Sequence, residues 1–200
     1  MMRGVFGKRR LFGLAACLSI LLLAPFALDR FFPPNLSRLH AVGVEVQDRE
    51  GRILSVLPAP GGFWRLATRP DDVAPVLLDL LIAAEDRRFY QHAGVDPLAL
   101  GRAAGQWLRA GRVISGGSTI TMQAARLLEP RPRGLRAKAI EIFRAFQLEA
   151  RFSKREILGI WLTLAPQGGN IEGIRAGALA WFGRPANRLD AAEAALLIAL

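Results

Sequence analysis

Two hundred residues, 52 % apolar and with a formal charge of +10, supply one packed domain plus appendages and point to a polyanionic partner: nucleic acid, an anionic membrane surface or a phosphorylated substrate. The single Cys17 excludes a disulfide framework and a multi-cysteine zinc site, and two histidines, His40 and His92, argue against a histidine-rich metal centre.

Arg3, Lys8, Arg9 and Arg10 precede an uncharged run, LFGLAACLSILLLAPFAL, over residues 11–28. As a helix this run is roughly 27 Å long, close to the hydrocarbon thickness of a bilayer. The leading positive charge predicts a cytoplasmic basic tail (1–10), a transmembrane signal anchor (11–30) and an exported remainder. A cleaved signal peptide is the alternative, but no clear small-x-small site follows the run. The sequence LAAC at Leu14 to Cys17 matches a lipoprotein signal in composition, yet it falls too early in the run. Export weakens the nucleic-acid reading of the charge.

Pro33 and Pro34 end the apolar helix. A linker over 31–69 follows, in which apolar and polar residues alternate on both sides of Asp48-Arg49-Glu50-Gly51, the pattern of a small β-hairpin. Pro58 to Gly62 read as a loop. From about Asp71 the pattern is helical, so a mainly α domain is expected over 70–200. Val76, Leu77, Leu80, Leu81 and Ala84 follow the 3.6-residue period.

Further helices are predicted over 98–108, from an N-cap at Ser118 or Thr119, and over 137–152. The capping box Ser153/Glu156 opens another, with Ile157, Leu158, Trp161 and Leu162 facing inward. One over 171–182 is stopped by Gly183 and Pro185, and Asp190/Glu193 open the last. That helix meets no stop signal before Leu200, so a longer parent chain is expected.

Glu85 lies four residues beyond Leu81 and eight beyond Leu77. It is therefore expected on the buried edge of its helix, where lost hydration makes a carboxylate a better proton acceptor. The competing reading is a helix-end residue balanced by Arg87 or Arg88. Asp86 and His92 read as residues that cap or orient the following turn. Gly116-Gly117-Ser118-Thr119 run into a helix N-terminus, which offers N–H groups to an anion or a sugar hydroxyl, without the Walker lysine spacing. Between Arg126 and Arg155 nine basic residues face Glu129, Glu141 and Glu149. A solvated face is the plain reading; on a tethered, exported domain a headgroup phosphate is the functional one. Glu141 sits one turn from Lys138 and Arg144, as in a salt-bridge ladder.

EDRRFYQHAGVD (85–96), GGSTITMQ (116–123), the Lys138/Glu141 pair, KREIL (154–158) and GIRAGALAWFGR (173–184) occur in the order and rough spacing of the motifs of glycosyltransferase family 51. Over about 40–200 the chain resembles the peptidoglycan glycosyltransferase domain of class A penicillin-binding proteins. APQGGNIEG (165–173) and AEAALL (192–197) are most similar to the 1C branch of that class.

The resemblance implies a mainly α, lysozyme-like domain with a second lobe dipping into the membrane. Its implied activity is polymerisation of lipid II into β-1,4 glycan with release of undecaprenyl pyrophosphate. Glu85 and Glu141 are the implied catalytic residues. Glu85 is the base on the acceptor 4-hydroxyl, and Glu141 orients cations, or a divalent metal such as Mg or Mn, at the leaving group. Arg126 stands where the family usually has a lysine on the pyrophosphate, and Lys138 matches the lysine before the second glutamate. Ser118, Thr119 and Gln123 line the cleft. Asp86 and His92 complete the substrate-binding set, with Phe89, His92 and Gly94 as scaffold of the first motif. Residues 98–112 correspond to a mobile, membrane-facing region, with Trp107 and Leu108 at the interface. Implied partners are lipid II, the nascent glycan strand, the inner membrane and other cell-wall synthesis proteins, and no nucleic acid.

Gly159, Trp161 and Thr163 replace the glutamate, tyrosine and asparagine of the fourth motif, and Ala137 stands where an arginine often precedes the lysine. Arg126 and Arg184 replace lysines, which keeps charge but changes geometry. No Ser-x-x-Lys occurs in these residues, so a transpeptidase domain, if the parent chain has one, lies past Leu200. A lytic hydrolase and a non-catalytic scaffold are the alternative functions; the basic stretch favours transfer over lysis, because a lytic enzyme has no pyrophosphate to stabilise.

Overall fold

The computed structural model describes residues 26–112 and 116–200, without the side chains of Ala104 and Trp107. The predicted basic tail and most of the predicted anchor lie outside them. Residues 26–31 are helical (α1), and among the described residues no helix is long and apolar enough to cross a membrane. Residues Asn35–Leu200 form one compact unit, mainly helical.

Alternation closes the expected hairpin. After a short helix α2 (Ser37–His40), strands β1 (Val44–Gln47) and β2 (Ile53–Leu57) pair antiparallel, Val44 opposite Leu57 and Val46 opposite Ser55, with a register shift at Val46/Gln47. Asp48 organises the turn: its Oδ1 accepts the N–H groups of Glu50 and Arg52 at 3.0 and 2.8 Å. Gly51 takes the positive φ of 77° that the turn requires.

A second, two-residue sheet corrects one predicted boundary. Strand β3 (Trp64–Arg65) pairs in parallel with β4 (Ile171–Glu172). The helix expected over 171–182 therefore begins only at Ile174. Gly173 turns the chain between the two elements with φ 86°, and a Cβ there would lie 2.5 Å from the Thr163 carbonyl oxygen.

The pairing is locked by charge. Arg65, 3 % exposed, donates from Nε to Glu172 Oε2 at 2.7 Å and from Nη1 to the carbonyls of Arg38 and Ala41 at 2.8 and 2.7 Å. Arg38 donates to the other oxygen of Glu172 at 2.6 Å.

The helices follow their sequence signals. Helix α3 (Pro75–Glu85) starts on a proline and buries Leu77 and Leu81 completely. Asp96 precedes α4 (Pro97–Ala110) and accepts the N–H groups of Leu98 and Ala99. Thr119 caps α5 (Ile120–Leu128), which is followed by α6 (Leu135–Arg151). Complete capping boxes open α7 (Lys154–Leu164) and, after α8 (Ile174–Phe182), α9 (Ala191–Ala199). Helix α7 is the central element: it packs on α5, α6 and α8, and Ile157, Ile160, Leu162 and Leu164 are buried among Leu77, Phe89, Ile120 and Leu148. Helix α9 packs on α3 and covers that end of the core.

Two carboxylates, buried Asp96 and half-buried Glu129, make the fold acid-sensitive. Burial pushes the Glu129 carboxyl up, but the Asn35 N–H and the Arg131 and Arg144 guanidinium groups outweigh it and hold the group below its ordinary 4.5. Burial also opposes ionisation of Asp96, and the Ala99 N–H, Arg88 and the Leu98 N–H hold it below 3.8. Each unfolded carboxyl thus binds a proton more readily than its folded form. The stability these groups contribute is complete above the unfolded values and is lost as pH falls through the folded ones. Urea midpoints are expected to stay level, as far as these two groups are concerned, from pH 7 to about 5 and to fall below about 4.5. Glu129→Gln should make that decline shallower; an unchanged slope rejects the assignment.

Candidate active site

The end of α3 and the start of α5 are fastened by one carboxylate. Asp86 leaves the helix at φ −158° and ψ 74°. Its buried side chain accepts the Ile120 N–H at 3.0 Å, and both of its oxygens lie 3.0 Å from His92 Nε2. His92 Nδ1 is buried and has no partner among the described residues, which fits the tautomer with its proton on Nε2, donated to Asp86. Thr119 Oγ1 donates to the Gly94 carbonyl at 2.6 Å while accepting the Met122 N–H. Gly94 has φ 89°, and a Cβ there would approach the Ala145 carbonyl oxygen to 2.9 Å. From α7, Lys154 donates to the His92 carbonyl at 2.6 Å and lies over the Phe89 ring. Asp86, His92 and Thr119 therefore spend their polar atoms on the frame that sets Glu85 beside the glycine turn.

Glu85 does not lie on a buried edge as its spacing predicts; it is exposed. It is the last residue of α3, and the backbone departs from the helix at Asp86, so the buried carboxylate of the pair is Asp86. Glu85 stands where two cavities meet. One, of about 640 Å³, is also lined by Arg87, Arg88, Asp96, Arg102 and Ser118. The other, of about 250 Å³, is lined by Gln123, Arg126, Arg133, Trp161 and Gln167.

Neither neighbouring arginine neutralises Glu85. Arg87 donates to the Ala83 carbonyl and Arg88 pairs with Asp96 at 2.7 Å. Its partner is Gln123, whose Nε2 donates to Glu85 Oε2 at 2.6 Å. Trp161 Nε1 in turn donates to Gln123 Oε1 at 2.9 Å.

The other expected site residues fall into two groups. Lys138 donates to Ser118 Oγ at 2.6 Å, on the rim of the larger cavity, and to Glu141 Oε2 at 3.1 Å. Glu141 is 9 % exposed. Arg126 borders the smaller cavity instead. Of the two cations, Arg126 thus lines the smaller cavity and Lys138 reaches Ser118 on the rim of the larger.

The basic stretch is largely consumed internally. Arg131 and Arg144 pair with Glu129, Lys154 with Glu149 and Arg155 with Asp71. Arg126, Arg133 and Arg136 have no ion-pair partner among the described residues. No group of three or more His, Cys, Asp or Glu side chains among the described residues could hold a metal ion. A divalent ion at Glu141 would meet one carboxylate already beside an ammonium group. In α4, Leu98 and Leu108 are exposed; the expectation for the Trp107 side chain lies outside the described residues.

Two contributors escaped the sequence reading. Asp96 lines the larger cavity and positions Arg88. Trp161 was expected to face inward, and it is 5 % exposed, but its grip on Gln123 was not foreseen. A buried indole N–H needs an acceptor, and that requirement was the available signal.

A family described as "Transglycosylase" matches residues 51–200. The chain is 43 % identical over 187 residues to penicillin-binding protein 1C of Escherichia coli (strain K12), covering 94 % of this chain and 24 % of that protein. It is 36 % identical to penicillin-binding protein 1A of Aquifex aeolicus (strain VF5), covering 88 % and 23 %. To a biosynthetic peptidoglycan transglycosylase of Mesorhizobium japonicum it is 37 % identical over 181 residues, covering 90 % of this chain and 72 % of that protein. The chain thus spans about a quarter of the length of these two penicillin-binding proteins.

Proposed function

This chain belongs to the transglycosylase family, and we propose that it is a peptidoglycan glycosyltransferase that polymerises lipid II during cell-wall synthesis. The observation that carries the reading is one unneutralised carboxylate, Glu85, bordering two cavities that are both lined by guanidinium groups. Polymerisation brings two lipid-linked pyrophosphates to one point of reaction, and two basic compartments meeting at one acid suit that demand.

In the proposed reaction Glu85 takes the proton of the acceptor 4-hydroxyl. The freed oxygen bonds to the anomeric carbon of the donor, and the bond from that carbon to the pyrophosphate oxygen breaks. Attack from the face opposite the leaving group converts an α-linkage to β-1,4. Arg126 and Arg133, free of ion pairs among the described residues, face the charge that develops on the departing undecaprenyl pyrophosphate. Lys138, held by buried Glu141 at Ser118, serves the phosphate of the other lipid. The two cations, which the resemblance sets at the pyrophosphate, are in this proposal divided between the two lipids. A lytic enzyme has no diphosphate to steady, so the unpaired guanidinium groups favour transfer over hydrolysis.

The uncharged run over 11–28 behind its basic cluster supports a single-pass anchor in the inner membrane with the catalytic unit on its outer side. Lipid II and the nascent strand are the partners that follow.

Incubation of the detergent-solubilised protein with labelled lipid II tests the reading. Growth of glycan chains on a gel supports it. Cleavage of finished glycan without growth makes the protein a hydrolase, and tight binding without turnover makes it a scaffold.

A further inference from the structure

Gln123 is nearly symmetric in shape but not in chemistry, because one end of its amide accepts hydrogen bonds and the other donates them. The indole N–H of Trp161 can only donate, and it lies 2.9 Å from Gln123 Oε1. That contact turns Nε2 toward Glu85, to whose Oε2 it donates at 2.6 Å. With the amide reversed, the indole N–H would face an NH2 group and the carboxylate would face a carbonyl oxygen. Two repulsive pairs would replace two hydrogen bonds.

We infer that Trp161 is a positioning residue that acts through Gln123 to hold the Glu85 carboxylate with Oε2 engaged and Oε1 left to receive the proton. Glu85 makes no other hydrogen bond among the described residues. The tyrosine of the family's fourth motif carries a hydroxyl that donates or accepts, and so leaves the direction of the amide open. Tryptophan at this position removes that freedom. Helices α5 and α7 pack directly on each other, so the relay is built on two rigid elements rather than on a loop. This inference rests on Glu85 as the base.

A double-mutant cycle tests it. Trp161→Phe keeps an apolar ring and removes the N–H; Gln123→Met keeps length and removes both amide groups. Trp161→Phe is expected to lower kcat for lipid II polymerisation about tenfold while leaving KM within about twofold. Gln123→Met should lower kcat at least as much. In the Gln123→Met background, Trp161→Phe should add no more than about a twofold loss. An unchanged kcat in either single variant overturns the inference. So does a full tenfold loss from Trp161→Phe in both backgrounds, which is what a packing role would give. In these cases an inactive Glu85→Gln variant leaves the assignment of the base standing. Polymerisation at the normal rate by Glu85→Gln removes that assignment, and the relay with it.

Discussion

Glu85→Gln is expected to slow glycan chain growth by about 100- to 10,000-fold, the range that a positioned general base contributes. The substitution changes little else. Glutamine has the shape of glutamate and can still accept from Gln123 Nε2, so the frame around it is retained. Because Glu85 is exposed, thermal stability should move by no more than about 0.5 kcal/mol. Loss of rate without loss of fold separates a chemical role from a structural one. The measurement is initial rate with labelled lipid II beside a thermal melt of the same preparation. A rate within about threefold of the parent excludes Glu85 as the base, whatever happens to the melt. Asp86→Asn provides the contrast: its carboxylate joins Ile120 to His92, so it should lower the melting temperature together with the rate.

The second large effect concerns stability and lies away from the cavities. Arg65→Met should destabilise the fold by about 3–5 kcal/mol, because it breaks a buried ion pair, leaves Glu172 with one cation instead of two, and strips two carbonyls of their donor. Arg65 reaches Glu172 across 107 residues and also caps the carbonyls of Arg38 and Ala41. Removing it leaves Glu172 with Arg38 as its remaining cation and leaves two carbonyls to find other donors. For a domain of this size the melting temperature should fall by roughly 10 °C. The double variant Arg65→Met/Glu172→Met should lose less than Arg65→Met alone, because the carboxylate left with only Arg38 is gone as well. If the double variant is the weaker of the two, the under-compensated charge of Glu172 is not the cause.

Local chemistry explains what could be read from the sequence. The Asp48 turn, the Ser153/Glu156 and Asp190/Glu193 boxes and the Thr119 cap each need residues no more than four apart, and all of them formed. Asp86 and His92 were legible as residues that orient a turn, but the bond from Asp86 to Ile120, 34 residues on, was not. Long-range partners were not legible. The start of α8 was misplaced because Ile171–Glu172 pair with Trp64–Arg65, a segment far away in the chain. Glu85 was misplaced because a four-residue spacing was extended to the last residue of a helix, where the backbone no longer continues the stripe. The charge run from Arg126 to Arg155 showed cations but not their counter-ions: Glu129 at the end of α5 takes Arg144 of α6, and Asp71 takes Arg155 of α7, only once these segments have folded together.

The clasp formed by Asp86 on Ile120 and by Thr119 on Gly94 has a consequence for the stretch between them. Thr119 is bonded to Gly94, so the two ends of that stretch are pinned side by side. An excursion fastened this way can be lengthened, shortened or exchanged with little penalty to what it is fastened to, since each doubling of a flexible loop costs only about 0.6 kcal/mol. Grafting a foreign segment between Asp96 and Ser118, with both of these residues kept for Arg88 and Lys138, should therefore preserve the protein beneath it, which makes this stretch the natural place to vary how the molecule meets its surroundings.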